Sequence, residues 1–170
     1  SLFEKPAFNL GYKSWGIKEV HWNINTALYL KLLFPEAKFL FLIRNPQDAW
    51  NSYKRAGRRW FWSWPDKIIK TPAQFGHIWA TLAKEFANNY HFVDGLLLKY
   101  EDLYNPVTFQ KLKSYLNINL TNPDDFSLIR GGRSAKSTYN QKSSFDLVKY
   151  IENIQLRYKV KRIAELYGYK

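Results

Sequence analysis

Arg44 and Ser52 are the residues whose types and spacing most directly suggest chemistry. Arg44 follows the apolar run at 39–43, and Ser52 lies seven residues beyond Asn45, which is two turns of a helix that starts there. A guanidinium binds a phosphate through two parallel N–H bonds, and a hydroxyl can add a third contact. The pair is therefore a candidate site for a terminal phosphate. The alternative is that Arg44 pairs with Asp48 while Ser52 faces solvent, and the spacing alone does not choose between the two.

Lys18, Glu19 and His21 form a second candidate group, at the end of a short strand that we expect at 15–20. Glu19 or His21 can serve as the general base for an acceptor hydroxyl. Lys18 can neutralise charge that develops on a leaving phosphate. Such residues are also common at exposed strand ends, where they do no chemistry. The residue types alone favour that second interpretation.

Two loops carry weaker signals. Arg130-Gly131-Gly132-Arg133 is basic, and its glycines would let the backbone approach an anion closely, although solvated surface turns have the same composition. The run at 58–64 mixes arginine with tryptophan and suits a platform for sugar rings or bases, or simple core or lid packing.

The apolar run at 39–43 must position Arg44. Five unbroken apolar residues predict a strand that is covered on both faces, as in a parallel sheet. Asn45 can cap the next helix, Pro46 suits its first position, and Asp48 falls where a capping box places an acid. We therefore expect Arg44 at the carboxyl end of a strand and beside a helix N-terminus, where α/β folds bind anions.

The rest of the chain predicts further helices and one more clear strand. We expect residues 1–14 to be irregular and a buried strand at 95–100, with Tyr100 at its end, where a tyrosine suits a ligand site or an ordinary turn. Apolar spacing and capping residues predict helices at 24–34, 46–55, 72–90, from 105, and at 145–167. The first of these helices is expected to bury Leu28, Leu32 and Leu33. The last is expected to bury Leu147, Ile151, Ile154 and Tyr158.

This alternation predicts an α/β domain with a parallel sheet flanked by helices. We expect all of residues 1–170 to belong to one domain. Only about three strands are visible, which is few for so many helices. The sequence also contains no Met, even at position 1. We therefore expect a fragment, about the C-terminal two-thirds of a domain, in which the N-terminal strand is missing.

The charge balance predicts an anionic partner. The sequence has 26 Lys and Arg against 14 Asp and Glu, a net charge of +12, which suits a nucleotide, a nucleic acid, an acidic glycan or a membrane surface. It has no Cys, and its three His lack the spacing of zinc ligands, so we expect no metal site. No apolar run approaches the roughly 20 residues of a membrane span, and no signal peptide is recognised. These features predict a cytoplasmic protein, unless a missing N-terminus changes this.

Several motifs occur in one order along the chain: GIKE at 16–19, FLFLIRNPQDAWNSY at 39–53, LLLKYEDL at 96–103, LKSYLNI at 112–118 and ELYGY at 165–169. In this order they resemble the sulfotransferases that use 3′-phosphoadenosine 5′-phosphosulfate. The resemblance covers about residues 15–170. It implies the P-loop NTPase-like fold of that family.

The resemblance also implies roles for individual residues in binding this nucleotide co-substrate. Arg44 and Ser52 match the pair that binds its 3′-phosphate, and Tyr100 matches the tyrosine on its adenine side. The loop of Arg130, Gly131, Gly132 and Arg133 is similar to the segment that wraps the 3′-phosphate, although Gly131 stands where the soluble members have Lys.

The implied reaction is in-line transfer of a sulfuryl group to a hydroxyl or amine of a small-molecule or glycan acceptor, without a metal. Gly16 to Glu19 is similar to the Gly-x-Lys-Glu pattern of bacterial and glycan-directed relatives, so Glu19 ranks above His21 as the base. Lys18 would stabilise the leaving oxygen. The family's phosphosulfate-binding loop, of the type Lys-Ser-Gly-Thr-Thr, is not in this sequence. We therefore expect the active site to be incomplete.

A non-catalytic basic module is the competing hypothesis. Such a module would bind nucleic acid or other polyanions through 54–64 and 130–142, which are rich in Lys and Arg. The composition permits this, but no nucleic-acid-binding motif supports it, so nucleic acid is the less favoured partner. A phosphoryl-transfer relative with a similar sheet is a third possibility.

Overall fold

The computed structural model describes residues 4–11, 14–57, 69–118 and 147–169, in which the chain is mixed α/β and mostly helical. The helices are α1 (Glu4–Asn9), α2 (Ile24–Leu33), α3 (Pro46–Arg55), α4 (Pro72–Asn89), α5 (Pro106–Leu116) and α6 (Leu147–Leu166). The strands are β1 (Leu40–Ile43) and β2 (Leu96–Lys99), and short 3-10 helices cover Tyr90–Val93 and Tyr100–Tyr104. No helix within these ranges is long and apolar enough to cross a membrane.

The helices α3 and α5 begin at the caps that the sequence predicts. The Asn45 side chain accepts the N–H groups of Gln47 and Asp48, at 2.9 and 3.3 Å. The Asn105 side chain accepts the Val107 N–H at 2.9 Å. A proline follows each cap at the first helical position, where a missing N–H costs nothing. These short-range contacts fix where α3 starts, directly after β1.

The strands β1 and β2 pair in parallel and are flanked by helices, as the sequence predicts. On one face of the pair, Leu96 and Leu98 pack against Leu112 of α5. Leu40 and Leu42 of β1 lie on the same face, but each is 45% exposed. The prediction that β1 is covered on both faces is therefore wrong. The apolar side chains of α5 pack on β2, which leaves this face of β1 half-open.

The main core lies among α3, α4 and α6. Trp50 and Tyr53 of α3 are fully buried, and their rings lie 5.4 and 5.3 Å from the Phe75 ring of α4, centroid to centroid. α4 approaches α6 closely because Gly76 has no side chain. A Cβ at this position would lie 3.1 Å from the Leu156 Cδ1 atom. The buried residues of α6 are Leu156, Val160 and Ala164.

The apolar face that the sequence predicts to be buried on α6 is exposed. This face carries Leu147, Ile151, Ile154 and Tyr158. α6 has two apolar stripes, and the one at intervals of four residues, ending in Ala164, is buried against α4. Gly76 of α4 and Ala164 of α6 allow the close approach of these two helices.

The prediction also buries the wrong face of α2, the face with Leu28, Leu32 and Leu33. α2 packs instead through Ile24 and Ala27, which contact Phe41 of β1 and Val93. Ile24 and Ala27 are three residues apart and so lie on one side of the helix.

The N-terminal part departs from the prediction in two ways. Residues expected to be irregular include the short helix α1, and Gly11, two residues after its end, has a left-handed conformation with φ of +82°. The strand expected at 15–20 does not form. The Glu19 Oε1 atom accepts the N–H of Val20 at 2.7 Å, and this local bond takes a donor that a strand partner would need.

Candidate functional site

The register of the two strands brings Arg44 and Tyr100 together. Ile43 lies opposite Lys99, so the next residue of each strand emerges at the same edge of the sheet. The Arg44 guanidinium carbon lies 4.7 Å from the centre of the Tyr100 ring, a cation–π distance. Both residues come from the strand ends that the sequence identifies as ligand-binding positions. The contact places a positive charge beside the first turn of α3.

A hydrogen bond holds the backbone of Arg44, while its guanidinium has a donor that can bind a ligand. The indole N–H of Trp79 donates to the Arg44 carbonyl oxygen at 3.0 Å. The Arg44 Nε atom is buried and has no hydrogen-bond partner in the described parts of the chain. Arg44 also forms no ion pair there, and so the alternative pairing with Asp48 does not occur. An arginine that is half-buried and unpaired favours an anionic ligand.

Glu101 takes the role at the start of α3 that the sequence gives to Asp48. The Asn45 backbone N–H donates to the Glu101 Oε1 atom at 2.8 Å. The other oxygen of this carboxylate accepts from the Tyr169 hydroxyl at 2.7 Å. Glu101, two residues after β2, thus caps the backbone N–H next to Arg44. The Tyr169 hydroxyl holds the Glu101 carboxylate in place.

Tyr169 reaches the strand ends because α6 stops sharply. Gly168 has φ of +73°, and the N–H groups of Gly168 and Tyr169 donate to the carbonyls of Glu165 and Ala164. These two bonds form a Schellman motif, which turns the chain back over the last helical turn. Burial first, and then the hydrogen bond with Glu101, raise the pKa of Tyr169 well above its ordinary value. Its hydroxyl is therefore a stable donor at neutral pH.

Two further features belong to α3: the side chain of Ser52, and a groove between the start of this helix and α6. Ser52 is half-buried on α3, about 10 Å along the helix axis from Asn45. A groove of about 540 Å³ separates the start of α3 from α6, and its lining includes Gln47, Arg157 and Lys161. The side-chain amide nitrogen of Gln47 is buried without a hydrogen-bond partner among the described residues. The helix N-terminus and two basic side chains outweigh the one acid in the lining, Glu165, and give this groove a net positive character.

Lys18, Glu19 and His21 lie in the irregular segment before α2, where Lys18 is exposed. The Glu19 carboxylate lies within hydrogen-bond distance of the Nδ1 atom of His21. The hydrogen bond from the Val20 N–H, followed by the charge of His21, outweighs burial and lowers the pKa of Glu19. A carboxylate at Nδ1 orients an imidazole so that Nε2 can accept a proton. In the described parts of the chain, no hydrogen bond or ion pair joins Glu19 to Arg44.

The loop of Arg130, Gly131, Gly132 and Arg133 lies outside the described residues, as does the tryptophan-rich run at 58–64. The sequence interpretation did not identify the residues that support Arg44, which are Trp79, Glu101 and Tyr169. The sequence carries a signal for Tyr169 alone: Gly168 after the last turn of a helix predicts that the chain reverses and brings the next residue back.

Comparisons with protein-family models, with curated proteins and with solved structures found no match to this chain.

Proposed function

We propose that the chain binds the 3′-phosphate of 3′-phosphoadenosine 5′-phosphosulfate through Arg44, as part of a sulfotransferase that acts on a hydroxyl or amine acceptor. The observation that carries the proposal is the Arg44 guanidinium itself. It lies at the end of a parallel strand, stacks on Tyr100, and has a buried Nε atom without a partner in the described residues. The resemblance in motif order supplies the identity of the nucleotide.

Three physical features support an anion at this position. The carboxyl ends of parallel strands are the usual ligand-binding edge of an α/β fold. The N-terminus of α3 carries a partial positive charge from its unpaired N–H groups. Arg44 has no carboxylate partner in the described chain, so a phosphate would not have to displace one. Ser52 would add a hydroxyl contact from the second turn of the same helix.

His21 is the better candidate for the general base, with Glu19 as the residue that orients it. In the proposed reaction the acceptor oxygen or nitrogen forms a bond to sulfur, and the bond from sulfur to the bridging phosphate oxygen breaks. The acceptor proton passes to the Nε2 atom of His21, and adenosine 3′,5′-bisphosphate leaves. The lowered pKa of Glu19 makes it a weak base but a good partner for the imidazolium that forms. Lys18 would stabilise the leaving oxygen.

Binding of adenosine 3′,5′-bisphosphate to the 170-residue chain tests the proposal without requiring catalysis. We expect calorimetry to show that it binds more tightly than adenosine 5′-monophosphate, which lacks the 3′-phosphate. Arg44→Ala should weaken binding about 10- to 100-fold, because it removes charged hydrogen bonds. Tyr100→Ala should weaken it about fivefold and Tyr100→Phe very little, because the phenylalanine ring still stacks on the guanidinium. Arg55→Ala, at an exposed arginine in the last turn of α3, is the matched control.

Two results would overturn the proposal. One is equal affinity for the bisphosphate and the monophosphate, and the other is an Arg44→Ala variant that binds the bisphosphate as well as the wild type does. Tight binding of a single-stranded oligonucleotide, with a steep dependence on salt and no response to Arg44→Ala, would favour the basic module instead.

A further inference from the structure

The outer side of α6 carries an exposed apolar stripe. We call it the α6 outer face and define it by Leu147, Ile151, Ile154 and Tyr158. Their exposed fractions are 57, 45, 52 and 81%. Spacings of four, three and four residues place all of them within about 60° of arc around the helix. The stripe lies opposite the residues that pack on α4.

Basic residues border this stripe on both sides. Arg157 and Lys161 lie along one border, Lys159 and Arg162 lie along the other, and all are exposed. Between residues 147 and 164 the sequence contains a single acid, Glu152. Its carboxylate points inward, where it accepts from Lys54 of α3 at 2.5 Å and from the Trp50 indole at 3.3 Å. The α6 outer face therefore combines apolar side chains with positive charge.

We propose that the α6 outer face lies on the surface of an anionic membrane. A helix with an apolar stripe and basic borders places its apolar side chains at the boundary of headgroups and acyl chains, while Lys and Arg extend to the phosphates. Each basic residue near such a surface adds to the attraction. Tyr158 has the amphipathic ring that is enriched at this depth.

Charge complementarity selects this occupant over a second copy of the chain. Two copies of the α6 outer face would bring basic borders together, and within α6 no outward carboxylate precedes Glu165 to pair with them. The exposed leucines of α2 provide a contrast, because the one basic residue on that helix, Lys31, lies 3.5 Å from Asp94. An apolar patch without free charge has no such preference for an anionic surface.

Flotation with extruded vesicles tests the proposal on the 170-residue chain. We expect the chain to float with phosphatidylcholine vesicles that contain phosphatidylserine, and not with phosphatidylcholine alone. Raising the salt from about 0.1 M to about 1 M should release it, because exposed charges are then screened. The double variant Ile151→Gln/Ile154→Gln should lower the partition coefficient about tenfold or more through lost apolar contact. Lys159→Gln/Arg162→Gln should lower it about 25-fold, or roughly fivefold for each residue.

Leu32→Gln is the matched control, because Leu32 is an apolar residue of α2 that is 78% exposed. This variant should float as the wild type does. Thermal midpoints equal to that of the wild type would confirm that the α6 variants fold, which we expect because the substituted side chains are exposed. The proposal fails if the wild-type chain does not float with anionic vesicles, or if both double variants float unchanged. It also fails if the chain forms a dimer that Ile151→Gln/Ile154→Gln abolishes and does not float.

Discussion

At the scale of single residues, Glu101 is the side chain whose removal should reveal how the site is held. Its carboxylate accepts from the Asn45 N–H and from the Tyr169 hydroxyl. Glu101→Ala would leave the Asn45 N–H to water and the Tyr169 hydroxyl with only the Ile43 carbonyl, at 3.3 Å, so we expect the free energy of unfolding to fall by about 1 kcal/mol. Glu101→Gln keeps one acceptor oxygen and should lose less. Urea denaturation of the three proteins measures the difference.

Glu36→Ala provides the control for Glu101, because Glu36 is an exposed acid in a turn and forms no hydrogen bond or ion pair among the described residues. It should leave the unfolding free energy unchanged. If Glu101→Ala were as stable as Glu36→Ala, the carboxylate would not stabilise the start of α3.

The sequence predicts Arg44 at a ligand-binding strand end from its local pattern, and it assigns Tyr100 to the site through the resemblance in motif order. It does not predict Trp79 or Tyr169. Trp79 donates to a carbonyl 35 residues away, and Tyr169 donates to a carboxylate 68 residues away. Contacts over such separations depend on how helices pack, and neither apolar spacing nor capping residues encode them.

At the scale of elements, Gly95 sets the distance between the turn after α4 and the sheet. A Cβ at Gly95 would lie 2.5 Å from the Phe41 Cε2 atom and 2.8 Å from the Tyr90 carbonyl oxygen. Both distances are too short, and the backbone oxygen cannot rotate away. We expect Gly95→Ala to reduce the free energy of unfolding by about 1 to 3 kcal/mol, because β2 or the Phe41 ring must shift. Urea denaturation measures this loss.

Gly16→Ala is the matched substitution for Gly95. A Cβ at Gly16 meets no atom within 4 Å. It should change stability by less than about 0.5 kcal/mol. Equal stabilities for the two variants would mean that Phe41 rearranges without cost and that the packing of β1 on β2 is looser than the structure indicates.

Helix positions were predictable from sequence, whereas the buried faces of two helices were not. For α5, Phe109 and Leu112 share one side of the helix and are buried there, whereas Val107 on the other side is exposed. α2 and α6 each have two apolar sides. Which side is buried then depends on the partner, and on α6 the small side chain of Ala164 and the glycine at position 76 of α4 decide it. Periodicity predicts a helix but does not choose between two apolar stripes.

At the scale of the whole molecule, two C-terminal tyrosines connect α6 to the rest of the fold. The Tyr167 hydroxyl donates to the Ala83 carbonyl of α4 at 2.5 Å. The Tyr169 hydroxyl donates to Glu101 and lies 3.3 Å from the Ile43 carbonyl of β1. Burial raises the pKa of Tyr167 to about 12 and raises that of Tyr169 further still. Both side chains are thus donors that the fold needs in their protonated form.

This protonation predicts a loss of stability at alkaline pH. An unfolded tyrosine releases its proton near pH 10, whereas Tyr167 in the folded chain does so near pH 12. The stabilisation is therefore complete below about pH 10 and falls as the pH rises toward about 12, because the unfolded chain binds fewer protons. We expect the urea midpoint of the wild type to fall over this range, and that of Tyr167→Phe/Tyr169→Phe to fall less. Tyr158→Phe, at a tyrosine that is 81% exposed, should follow the wild type. Parallel curves for all three proteins would show that these hydroxyls do not stabilise the fold.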